Sequence, residues 1–324
     1  MLLAYPPHMR STILFCALSL AACDGATDAP LRPDAGPGSD SGRRVVGGED
    51  TRVEGGPTSG ELCGTIRIVG DVEVPEGETL TVCAGSTVVL ETDVALTVSG
   101  TLRLAGSAGA PVQLNGDRRW SGITVRGTLE ADFVEIYDAA DGIRGEAGSS
   151  IRLDDSLLYA RGLSNLRLAA GATLHRTRVF GGGTVRVSGG VLDMVDAEID
   201  LDHPGESPDC TALSGGSLQI DHSRLTNCHC PIHINASDAP ISITNSVLDG
   251  AAYPVMIARS TGVFRGNAFE GTVAHYQDIG GEIDVDIAGN FYAGDIALLD
   301  TDAPGQFRGA DEVLAERPAG VGPR

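Results

Sequence analysis

The chain reads as an all-β solenoid, and three observations predict it. First, one strand motif recurs at least seven times. It is seen in Ile151-Arg-Leu153-Asp-Asp-Ser156-Leu-Leu158, in Leu218-Gln-Ile220-Asp-His-Ser223-Arg-Leu225 and in Ile241-Ser-Ile243-Thr-Asn-Ser246-Val-Leu248. Second, the small residues of the motif form a column: Ser156, Thr177, Ala197, Ser223, Ser246, Asn267 and Asn290, with steps of 21, 20, 26, 23, 21 and 23 residues. A repeat of that length with β-type alternation is one coil of a stack. Third, the 44 glycines suit a fold full of tight turns, and no stretch before residue 309 has helical periodicity.

Composition narrows function before any motif does. The net charge is −21, so the surface repels nucleic acid and anionic lipid. All 23 basic residues are arginine, which excludes a lysine base or Schiff base. Aromatic residues make up 4% of the chain, few for a protein that holds neutral sugars on ring faces.

The elements follow in chain order. Arg10 and the apolar run Ser11–Leu20 form a secretory signal, with Met9 the better start. Leu20-Ala21-Ala22-Cys23 resembles the bacterial lipobox. That resemblance implies cleavage after residue 22, a lipid on Cys23 and a place in the cell envelope, the outer membrane or cell surface ahead of the inner membrane. Residues 23–60 are rich in Asp, Gly, Pro and Ser and are expected to be a flexible tether. Within it, Arg44-Val45-Val46-Gly47-Gly48 resembles a protease activation site, but the downstream serine protease motifs are missing.

Residues 61–300 carry the coils. Gly100-Thr-Leu-Arg-Leu-Ala-Gly-Ser-Ala-Gly-Ala-Pro-Val-Gln-Leu114 with Trp120-Ser-Gly-Ile123, and Val74-Pro-Glu-Gly-Glu-Thr-Leu-Thr-Val82, resemble opening coils of bacterial right-handed parallel β-helix proteins of the pectate-lyase-like kind. The resemblance implies a single-stranded right-handed parallel β-helix of about ten coils, each adding about 4.8 Å. The strict six-residue period of a left-handed helix is missing. A second strand per coil places Ile143, Leu166, Leu168, Val185, Val187, Leu213, Ile232, Ile234, Val255 and Ile257 inside. Residues 301–324 are expected to cap the top, with a short helix at 310–316.

Cys63 and Cys83, one coil apart, are expected to pair. Cys210 is expected to bridge to Cys228 or Cys230. A metal reading of Cys228 and Cys230 with His203, Asp209 and His229 is weaker, because exported thiols oxidise and Cys-X-Cys is an unusual zinc spacing.

The candidate ligand face is the outside of the second strand. Its outward positions read Thr124, Arg144, Arg167, Arg186, Ser214, His233 and Met256. Arg144, Arg167 and Arg186, with His233 beyond them, would form a strip for an acidic polysaccharide, since guanidinium forks suit carboxylates. The plainer reading pairs those arginines with surface acids. An envelope protein is the other partner considered. Catalysis has less support. The family's hydrolase motifs are missing, and Asp154-Asp155 is the only adjacent aspartate pair among the repeats. A lyase would need Ca²⁺ on Asp200, Asp202, Glu206 and Asp209 of the long insertion, and Arg186 or Arg224 as base. No cofactor is otherwise expected. The chain is read as a non-catalytic recognition or scaffold protein, with a polysaccharide lyase as the alternative.

Overall fold

The computed structural model describes residues 50–162, 164–202, 208–250, 254–270, 276–294, 298–299 and 307–324. The signal segment, Cys23, most of the expected tether, His203 and Glu206 lie outside these residues. The described residues contain no helix, and their strands stack in parallel as a solenoid of about ten turns.

Each coil contributes to three sheets. One coil runs Leu157–Ala160 in the first sheet, Ser164–Leu168 in the second and Ala172–His175 in the third, and Arg178–Phe180 starts the next coil above Leu157–Ala160. Near the top, Val255–Arg265 and Tyr276–Asp286 run without a break through the second and third sheets.

Alternation fills the interior. In Ala95–Val98, Leu96 and Val98 are buried while their neighbours are partly exposed. The first sheet turns Ile66, Val88, Leu114, Ile136, Leu158, Val179, Ile199, Leu225, Leu248 and Phe269 inward, each over the last. Parallel stacking brings like positions into contact, which is why the repeat keeps aliphatics in register.

The small-residue column is a hydrogen-bonded ladder at the bend from the third sheet to the first. The backbone N–H of Ser223 donates to Ser246 Oγ at 3.0 Å, that of Ser246 to Asn267 Oδ1 at 2.9 Å, and that of Asn267 to Asn290 Oδ1 at 2.9 Å. Immediately before each rung the chain turns through the left-handed region, at Asp155, Arg176, Asp196, His222, Asn245, Gly266 and Gly289. The Arg176 N–H then reaches the Val195 carbonyl at 3.0 Å, and the Asn245 N–H that of Arg265 at 3.1 Å. Those bonds to the coil above offset a backbone strain of about 1 kcal/mol for a residue with a Cβ.

Three expectations change at the ends. The stack begins inside the stretch read as tether, because Thr51–Val53 pairs with Thr65–Ile68 and Gly56–Pro57 with Val72–Val74. It runs past residue 300, because Phe307–Arg308 pairs with Val285 and Asp286. The helix expected at 310–316 does not form. That segment is a turn followed by a bridge between Asn290 and Val313, and backbone bonds to the last coil replace helical ones. The tail then returns down the outside of the ladder bend. The Leu314 N–H donates to Asn290 O, Arg317 pairs with Glu270, the Gly322 N–H donates to Asn245 O, and the Arg324 guanidinium meets Asp196.

Two disulfides form. Cys63–Cys83 ties the lowest coils, with Cα atoms 4.9 Å apart, and Cys210–Cys228 joins two coils at the insertion. Cys230 is a buried free thiol.

Candidate functional site

Register places the arginines. Thr124 lies beside Arg144, Arg144 beside Arg167, and Arg167 beside Arg186 on successive strands of the second sheet. Their flanking residues Ile143, Leu166, Leu168, Val185 and Val187 are buried, so alternation turns all three guanidinium groups outward. The next position is Ala212, followed by His233 and Met256. This corrects the expected Ser214. Thr211 turns inward here, with its hydroxyl on the Pro231 carbonyl at 2.8 Å, and the outward step falls on Ala212.

The three arginines line one side of an open groove of about 380 Å³ with Ala169, Ser188, Ser214 and Asn235. The turns that follow these strands pack closely from coil to coil. A Cβ on Gly190 would lie 2.2 Å from the Gly171 backbone nitrogen, and one on Gly216 would lie 2.3 Å from the Gly190 carbonyl oxygen. The coils therefore meet backbone to backbone at this corner.

These arginines differ from most others in their surroundings. Arg176 makes a two-pronged contact with Asp155 at 2.7 Å, Arg178 meets Glu198 at 2.7 Å, and Arg152 is held by Asp132 and Asp154. In the groove, among the described residues, Arg167 pairs only with Asp141, 3.6 Å away, and its buried Nε has no partner. Arg186 donates to Ser164 Oγ at 3.1 Å. Among the described residues Arg144 forms no ion pair.

The proposed calcium and base residues are spread over different elements. Asp200 belongs to the first sheet, and its Oδ1 accepts the Asp202 N–H and the Asn227 amide. Asp209 faces His229 Nδ1 at 3.3 Å and His233 Nδ1 at 2.8 Å. Arg224 is on the first sheet beside Glu198, away from the groove of Arg186. Asp154 and Asp155 are occupied by Arg152, His175 and Arg176, and the Arg176 guanidinium holds the Asp155 carboxyl below the usual carboxylate range. Among the described residues the one grouping with metal-ligand proximity is Glu61, Cys63 and Cys83, whose sulfurs are bonded to each other. The Cys210–Cys228 bridge likewise removes Cys228 from a zinc set.

Two features were not foreseen. One is the contact of Asp209 with His233 as well as His229, which depends on how the insertion rejoins the stack. The other is an outer column of Tyr137, Tyr159 and Phe180, with ring centroids 6.5 and 5.7 Å apart. The Tyr159 and Phe180 rings are stacked, so they cover each other's faces rather than present a platform. At the end of the column, burial and the adjacent Glu135 push the Tyr137 hydroxyl up to about 12.

Comparison of the chain with family models, curated proteins and solved structures finds no match. The site is therefore read from its own chemistry.

Proposed function

We propose that the chain is a non-catalytic recognition protein of the cell envelope, exported and anchored by a lipid on Cys23, whose groove binds an acidic polysaccharide. The observation that carries this reading is the run of Arg144, Arg167 and Arg186 in register, with one distant carboxylate between them, in a protein of net charge −21. Like charges about 4.8 Å apart repel unless anions sit between them. An acid-rich chain that pairs most of its other described arginines with a carboxylate, Arg118, Arg119, Arg224 and Arg259 apart, yet leaves this face short of acids has a surface suited to an external anion. A lyase has less support, because Asp200 lies on the first sheet, Asp209 is turned toward histidines, and Arg224 stands away from the groove.

The test is calorimetric binding of the purified chain to oligogalacturonates and to a neutral glucan, at low and moderate salt. Each guanidinium–carboxylate contact is worth about 1 kcal/mol on an exposed face, so replacing Arg144, Arg167 and Arg186 by Ser is expected to weaken acidic binding about 100-fold. Affinity that ignores salt, or that survives the triple substitution, rejects the groove as the site.

A further inference from the structure

The groove of the three arginines leads to a second cavity. The uppermost residue lining the groove is Asn235, whose carbonyl accepts the Nε–H of Arg259 at 3.1 Å. Arg259 in turn lines an open cavity of about 510 Å³ with Ser237, Asp238, Pro240, Thr261 and Glu282. Asn235 and Arg259 thus join the two hollows at the corner between the second and third sheets.

Arg259 is an exception in its column. Register aligns Leu168, Val187, Leu213, Ile234 and Ile257 on successive strands of the second sheet. Two residues beyond them the chain has Ala170, Gly189, Gly215 and Ala236, and then Arg259. A small residue therefore serves this corner in four coils. Arg259 also adopts the left-handed backbone, at φ 41°, which disfavours a residue with a Cβ. The coil above makes room for its stem, since a Cβ on Gly281 would lie 2.4 Å from Arg259 Cγ. The side chain is exposed, and among the described residues its Nη1 and Nη2 have no partner. Neither acid of the cavity forms an ion pair with it, and Asp238 Oδ2 accepts the Gly216 N–H at 2.6 Å. A strained position that holds a large cation where small residues suffice points to a ligand.

We infer that Arg259 is a further binding residue of the groove, which takes an anionic group of the same polysaccharide about 14 Å beyond Arg186 and so favours long chains over short ones. The inference rests on the acidic-polysaccharide reading above. Between the two arginines the corner offers Ser188, Ser214 and Asn235, which are polar and uncharged. Sugar hydroxyls can bond to these while carboxylates meet a guanidinium at either end. The path follows the corner and not the strand centres, where Asp209 stands beside His233. A short chain held by Arg144, Arg167 and Arg186 does not reach Arg259, whereas a longer one gains a contact there.

The test is calorimetric affinity of the purified chain for trigalacturonate and octagalacturonate at low salt, with two variants. Arg259→Gly suits the left-handed backbone and copies Gly215, and Arg259→Gln keeps a polar side chain without the charge. The parent is expected to bind the octamer at least about five-fold more tightly than the trimer, the effect of one exposed contact. Both variants are expected to lose about five-fold on the octamer and to bind the trimer as the parent does. Octamer affinity unchanged in both variants overturns the role of Arg259 and leaves the arginine groove standing. Equal weakening of trimer and octamer overturns it as well, since that is the mark of a general change in charge. Absence of binding at either length overturns both readings.

Discussion

Asn267 takes the backbone N–H of Ser246 on its Oδ1 at 2.9 Å and gives its own amide to the Ile243 carbonyl at 2.8 Å, with none of it exposed. A β-solenoid must turn its chain at every bend, and a bend inside the stack carries N–H groups that water cannot reach. The ladder answers that need with a polar side chain in each coil of the column except that of Ala197. The magnitude follows from the asymmetry of hydrogen bonding. A made bond contributes about 1 kcal/mol, while a buried donor left alone costs about 1 to 3 kcal/mol. Asn267→Ala strands the Ser246 N–H and leaves a small void, so a loss of about 3 kcal/mol is expected. Asn267→Ser keeps an oxygen on the rung, as Ser223 and Ser246 do on theirs, and is expected to lose about half as much. Denaturant unfolding midpoints check this, and an alanine variant as stable as the parent would remove the ladder from the account of the fold.

At the scale of the element, the corner turns beside the groove show how close stacking dictates residue type. Gly190 and Gly148 both occupy the left-handed region, at φ of 68° and 85°. They differ in what surrounds them. A Cβ on Gly148 meets nothing within 4 Å, whereas one on Gly190 lies 2.2 Å from backbone of the coil below. Gly148→Ala is therefore expected to cost only the backbone strain, about 1 kcal/mol. Gly190→Ala must also push two coils apart, and a loss of at least about 3 kcal/mol is expected in the same unfolding measurement. Equal costs would show that the coils are not in backbone contact. The same contrast explains what could be read from the chain. Strands such as Ser217–Asp221 and Ile241–Thr244 were legible because a period of two, repeated coil after coil, reports burial directly. Thr51–Val53 was not, because its residues are largely exposed and it is held by pairing alone. The shift from Ser214 to Ala212 was hidden by a threonine at an inward position, where the expected signal is aliphatic. The residues 310–316 carry helix-favouring side chains, but bonding to the coil at Asn290 overrides local propensity. The arginine column was visible in the alternation, whereas the contact of Asp209 with His233 was not, since it joins a loop to a strand.

For the whole molecule, a stack of coils has interfaces only between neighbours, so its ends are where it opens. The base is tied by Cys63–Cys83. The upper coils have the returning tail instead, which touches the bends at Asn290 and Asn245 and ends at Asp196. Two kinds of contact hold it, and they are unequal. Arg324 is 58% exposed in its pair with Asp196, and such pairs contribute between about 0 and 1 kcal/mol. The backbone bonds from Gly289 to Glu312, Leu314 to Asn290 and Gly322 to Asn245, at 2.6, 2.9 and 2.8 Å, satisfy groups of the bends themselves. Arg324→Ala is accordingly expected to leave stability nearly unchanged. Deleting residues 312–324 uncovers those bends together, and amide hydrogen exchange is expected to quicken by about ten-fold or more in the coils of residues 241–292. Exchange in the coils of residues 65–104 is expected to stay as it was, because they share no neighbour with the tail. Acceleration spread evenly over the solenoid would mean that the coils unfold as one cooperative unit, and an unchanged upper half would mean that the tail lies on the stack without holding it.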